Sequence, residues 1–88
     1  MMFIFRQSRS PDATFWMHKT LLPLDIAYLG PEGRIRSILQ MQPCSERSSE
    51  CQQYPAGVLH LYALEMNHGF FERRGVTVGD KVVRGGCN

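Results

Sequence analysis

The chain has 88 residues, 43% of them hydrophobic and 20% charged, with ten Lys and Arg against eight Asp and Glu. That is the make-up of one small folded domain and not of a disordered chain. A net charge of +2, with only Arg34/Arg36 and Arg73/Arg74 as close basic pairs, argues against a nucleic-acid-binding face.

Residues 2–5 read as a short strand. The apolar start is stopped by Arg6 and has neither a basic lead nor an adequate apolar core, so it is not a signal peptide. No apolar run approaches the ~20 residues of a membrane-spanning helix. Residues 7–13 are polar, contain Pro11 and read as a loop. Residues 14–17 are aromatic and β-prone.

Residues 21–29 form a long apolar run in which Leu22, Leu24, Ile26 and Tyr28 fall on one face by the two-residue period. Asp25 falls on the opposite face, which places it at an exposed rim. Pro23 cannot donate to a sheet ladder, so it belongs at an edge, a bulge or a strand start. Gly30, Pro31, Glu32 and Gly33 make a turn. Residues 34–41 return as a strand, with Ile35, Ser37, Leu39 and Met41 alternating against Arg34, Arg36, Ile38 and Gln40.

Residues 42–57 are polar, with two Pro and two Cys, and read as a long loop that is either functional or tied down. Residues 58–66 read as a strand covered on both sides. His60, Tyr62 and Leu64 would share one face, and Leu59, Leu61 and Ala63 the other. Residues 67–74 predict a short helix with Asn67 as N-cap and Gly75 at its C-terminal end. Residues 76–83 predict a turn feeding a last strand, and residues 85–88 a flexible tail. The sum is a mostly β fold, a small antiparallel β-barrel or sandwich with one short helix, as a single domain over residues 1–84.

Met2-Phe3-Ile4-Phe5, then Trp16-Met17, Thr20 and Pro23-Leu24-Asp25-Ile26, form an ordered signature. It continues through Pro43-Cys44, Cys51, Tyr54-Pro55, Leu64-Glu65, Gly69 and Gly79-Asp80. Each piece is weak alone; together they resemble a family of uncharacterised bacterial and archaeal proteins, the domain of unknown function numbered 192. The resemblance implies a compact, mostly β domain without an established biochemical role. Members typically carry Trp-Met-x-Asn-Thr where this chain has Lys19, so a donor-acceptor amide is replaced by a cation that only donates. The family pattern also has an upstream Arg-x-x-Gly-Leu-Met-like segment, and residue 1 falls after it. The expectation is a sheet short of one strand, whose exposed edge a second copy covers as a homodimer.

Cys44 and Cys51 are open to three readings: a disulfide, free thiols or metal ligands. Their spacing is not a zinc motif and no His adjoins them, which favours the disulfide. Such a staple is worth roughly 2–3 kcal/mol in the loop-entropy model and implies an oxidising compartment. The resemblance also implies export. Cys87 is the odd thiol, placed for an intermolecular bond. Trp16 reads either as a pocket wall or as core packing. His18, His60 and His68 lack metal-ligand spacing; His60 reads as a hydrogen-bonded structural residue, and His68 as a capping or solvated one. Glu65 is a candidate partner for Arg34 or Arg36, and Asp80 a turn residue. Ser45, Ser48 and Ser49 lack a nucleophile context, and no phosphate-binding glycine loop is present. No metal and no cofactor are expected.

A clustered polar-aromatic signature without a catalytic constellation predicts a non-enzymatic binding or accessory module for a small molecule, a glycan or a protein partner. Its candidate ligand-binding residues are Trp16, His18, Lys19, Thr20, Asp25 and Tyr54, with the loop from residue 44 to residue 54. The alternatives are a hydrolase or lyase using Asp25 with His18 or His60, and a purely structural unit. Catalysis needs Asp25 and a His within about 3 Å or one water of a common pocket.

Overall fold

The strict alternation on either side of the Gly30–Gly33 turn builds the hairpin at the centre of the fold. In the computed structural model, which describes residues 1–17, 20–44 and 47–82, the strands are β1 (Met2–Arg9), β2 (Thr14–Trp16), β3 (Leu24–Leu29), β4 (Ile35–Met41), β5 (Gln53–Pro55) and β6 (His60–Asn67). One short helix, α1 (Phe70–Arg73), follows β6, and a 3-10 turn (Ser48–Glu50) precedes β5. Gly33 closes the central turn with φ 84°, a region costly for any residue with a Cβ, and its N–H donates to the Gly30 carbonyl at 2.9 Å.

The main sheet is antiparallel throughout, in the order β1-β6-β3-β4, and β2 pairs with β5 as a separate ribbon. The register sets Ala27 between Ile38 and Leu64, and Asp25 between Gln40 and Met66. The sheet is covered on both faces. On one, Ile26, Tyr28 and Met41 pack against Met17, Tyr54 and Ala56 from the ribbon and its flanks. On the other, Ala27, Leu29 and Ile35 pack against Phe71 of α1, with Val76 and Val82 beyond it. The central strands are therefore apolar on both sides, as two-sided burial demands.

The mostly β fold with one short helix agrees with the sequence, but no barrel closes. Among the described residues β1 and β4 each have one ladder partner and remain sheet edges. Other differences have local causes. The loop expected over residues 42–57 contains β5, because the buried Tyr54 pairs with Phe15 across the ribbon. β1 runs on to Arg9, past the expected stop. The helix starts after Gly69, not at Asn67, which is still paired with Leu24 at the end of β6. His60 and Tyr62 do not share a face: the register between β1 and β6 shifts between Ile4 and Arg9. His60 turns onto Tyr28 and Phe5, while Tyr62 packs in the opposite cluster. The expected last strand is a bridge from Lys81 to Arg34; Val83 and the tail lie outside the described residues.

Candidate functional site

Asp25 is not at an exposed rim. It is 8% exposed, because α1 and its flanks cover the face of β3 that a one-sided sheet would leave wet. A buried carboxylate needs compensating hydrogen bonds. Asp25 has two: Oδ1 lies 3.0 Å from Nδ1 of His68, and Oδ2 accepts the Gly69 N–H at 2.9 Å. Both partners come from the joint between β6 and α1, which the His68 N–H ties to the Pro23 carbonyl at 3.2 Å. Gly69 has φ 85°, so it makes the sharp turn into the helix. No side chain of its own segment caps that turn; the carboxylate from β3 takes up one of its N–H groups instead.

This arrangement fixes the imidazole. A carboxylate oxygen only accepts, so Nδ1 carries the proton that points at Asp25. Nε2 is then the polar atom left on a side chain that is 47% exposed. Asp25 and His68 border a cleft of about 360 Å³ between the sheet and α1. Its floor is apolar, from Ile38, Phe71 and Val76, and its rim adds Gln40, Glu72 and Thr77. His68 also borders a shallower hollow of about 330 Å³ with Leu22, Pro23 and Asn67.

The other predicted site residues are placed elsewhere. Trp16, 49% exposed, borders a small hollow with Thr14, Phe15 and Gln53 on the ribbon. Tyr54 is buried in the ribbon-side cluster, where its hydroxyl accepts the Gln42 N–H at 3.0 Å. Thr20 bridges to Cys44, beside the Cys44–Cys51 disulfide, whose Cα atoms are 5.8 Å apart. The sheet separates all of these from Asp25. His18, Lys19 and Cys87 lie outside the described residues.

His60 is fully buried on the ribbon side of the sheet, away from Asp25. Nδ1 faces the Val58 carbonyl at 2.9 Å, and the ring packs on Tyr28 at 4.7 Å between centroids. Burial holds its pKa below the ordinary His value. Arg9 packs over Phe5 and Phe15 above this cluster. Arg36 pairs with Glu32 at 3.5 Å and donates to the Leu59 carbonyl, while Arg34 donates to the Gly79 carbonyl, so neither takes Glu65 as partner. Burial raises the pKa of Glu65. Asp80 closes its own turn by accepting the Thr77 N–H. No group of three or more His, Cys, Asp or Glu suited to a metal occurs among the described residues.

The residue that sequence reasoning underrated is therefore His68. A signal was available: a His-Gly pair directly after a strand, one strand away in register from an Asp flanked by apolar residues. It becomes legible only once β6 is known to lie beside β3.

No curated protein matches the chain. Two crystal structures resemble it. A protein described as a putative transcription regulator from Sinorhizobium meliloti 1021 is 32% identical, with a TM-score of 0.70 over 92% of this chain and 58% of its own. A protein of unknown function from Novosphingobium aromaticivorans DSM 12444 is 37% identical, with a TM-score of 0.70 over 92% of this chain and 54% of its own. The chain thus spans a little over half the length of these two relatives. The pattern of DUF192, described as Uncharacterized ACR, COG1430, matches residues 1–84, and the chain belongs to that family.

Proposed function

We propose that this domain is a small non-enzymatic binding or accessory module whose ligand sits in the Asp25–His68 cleft. The observation that carries this reading is a buried carboxylate spent on orienting a half-exposed imidazole at the mouth of an open cleft. A fold that needed only to cap the β6–α1 joint could do so without exposing the second partner. An apolar floor with a few convergent polar groups is the usual form of a small-molecule site. Its polar rim carries one carboxylate, that of Glu72, beside Gln40 and Thr77. That favours ligands that donate, such as hydroxyls of a sugar or polyol, or an ammonium group. A screen of amine, polyol and monosaccharide fragments by amide shift perturbation tests it: hits should map to Gln40, His68, Glu72 and Thr77.

An acid–base enzyme is the second reading, because the Asp25–His68 separation meets the distance that catalysis requires. It needs a third group, and the nearest hydroxyl on the rim, Thr77, is turned to the Val78 carbonyl at 3.1 Å. Transcription regulation, as described for the Sinorhizobium relative, has less support: Arg9, Arg34, Arg36, Arg73 and Arg74 are each held against rings, carbonyls or Glu32. Two further proposals accompany the main one. The β1 edge, where Ile4 is 51% exposed, pairs with a second copy; sedimentation at micromolar concentration should then give twice the monomer mass. The Cys44–Cys51 bond supports residence in an oxidising compartment, which cell fractionation tests.

A further inference from the structure

A second cleft lies at the hairpin end of the same sheet face and shares no residue with the first. It is built where the returning segment meets the central turn. The Val82 N–H donates to the Gly33 carbonyl at 2.8 Å, and the Ile35 N–H to the Asp80 carbonyl at 2.9 Å. A Cβ on Gly33 would come within 3.0 Å of the Val82 carbonyl, at a φ that side chains disfavour. The glycine thus lets the segment lie close and wall a cleft of about 310 Å³. Met2, Leu29, Tyr62 and Val82 make its interior apolar.

Two charged side chains border the mouth, Glu32 and Lys81. They are not equivalent. Glu32 is already paired with the Arg36 guanidinium at 3.5 Å. Lys81 makes no ion pair among the described residues, so its ammonium is the uncompensated charge. The volume suits a small ligand, and the chemistry is an apolar slot ending in one cation.

We infer that this cleft binds a small amphipathic monocarboxylate, its aliphatic or aryl tail on Leu29, Tyr62 and Val82 and its carboxylate on Lys81. An alcohol of the same tail would gain the apolar contact alone, and an amine would meet repulsion at the mouth.

The test is an amide shift titration of the whole chain with sodium hexanoate, 1-hexanol and hexylamine in parallel. Hexanoate should give saturable shifts centred on Leu29, Gly33, Tyr62 and Lys81, and bind more tightly than hexanol by up to about fivefold, the scale of one exposed ion pair. Lys81→Met should remove that advantage and leave hexanol binding unchanged. Lys81→Glu should turn the preference toward hexylamine. Both replacements are at an exposed side chain, and a native-like spectrum before titration checks the fold. Absence of saturable shifts with hexanoate, equal binding of the three probes, or a hexanoate affinity indifferent to Lys81→Met would each overturn the proposal. Because the two clefts share no residue, failure here leaves the Asp25–His68 reading standing, and the reverse.

Discussion

Asp25 holds two donors at once, so removing its carboxylate leaves both the Gly69 N–H and the His68 Nδ1–H without an acceptor. Asp25→Ala should cost about 2 kcal/mol of stability, read from urea unfolding, since an orphaned buried donor costs about 1–3 kcal/mol. Asp25→Asn keeps one acceptor and should cost less. The opposite sign is expected at Tyr28, whose buried hydroxyl has no hydrogen-bond partner among the described residues. Tyr28→Phe should be neutral or stabilise by up to about 1 kcal/mol, because it removes a polar atom that folding strips of water. Burial pushes the Tyr28 hydroxyl up to about 12. Above pH 10 the unfolded chain releases that proton first, so this contribution falls as pH rises from 10 toward 12.

His60 gives a second pH signature. Its Nε2 is buried without a partner, and its folded pKa is lowered from 6.5. The unfolded chain therefore binds the proton more readily. Stability should be full above pH 6.5 and decline as pH falls through 6.5 toward the lowered value. Glu65, with a raised pKa, acts in the opposite sense at lower pH. Comparing urea midpoints of the parent and His60→Phe between pH 7.5 and 5.5 isolates the His60 part: the parent should lose stability, and the variant should lose less. The apolar partners of these residues were legible from alternation. The burial of Asp25 was not: a carboxylate in a strand reads as solvent-facing until the element covering it is known, whereas His60 read as a hydrogen-bonded structural residue and is one.

The ribbon shows how a weak local signal becomes an element. β2 and β5 have three residues each, too few to hold as an isolated hairpin. They persist because Phe15 and Tyr54 bury against Tyr28 and Met41, and because the Cys44–Cys51 bond shortens the loop leading into β5. Sequence reading found the disulfide and the aromatic stretch but not the pairing of β2 with β5, because β5 is a single aromatic between Gln53 and Pro55, too short to show an alternation. The central hairpin was readable at its turn and in its pairing, since alternation and turn chemistry agree there, although β3 starts at Leu24 and not at residue 21. Replacing Cys44 and Cys51 together by Ser should lower stability by roughly 2–3 kcal/mol on the loop-entropy scale. Amide hydrogen exchange should then quicken first in β2 and β5 and leave β3 and β6 protected.

Across the whole molecule, two covers on one sheet divide the labour. The ribbon side is sealed by aromatic packing around Tyr28 and His60. The helix side is incompletely filled, because α1 is one turn long: one cleft opens beside it and another at the hairpin end of the sheet. The signature Pro23-Leu24-Asp25-Ile26 serves both covers: Leu24 and Ile26 anchor the ribbon, while Asp25 reaches through to the β6–α1 joint. The first measurement is therefore the fragment screen by amide shift perturbation, repeated on Asp25→Asn and His68→Ala. The account predicts shifts clustered at Gln40, His68, Glu72 and Thr77 that both variants abolish. Shifts clustered instead at Trp16 and Gln53 on the ribbon, or hits indifferent to both variants, would contradict it.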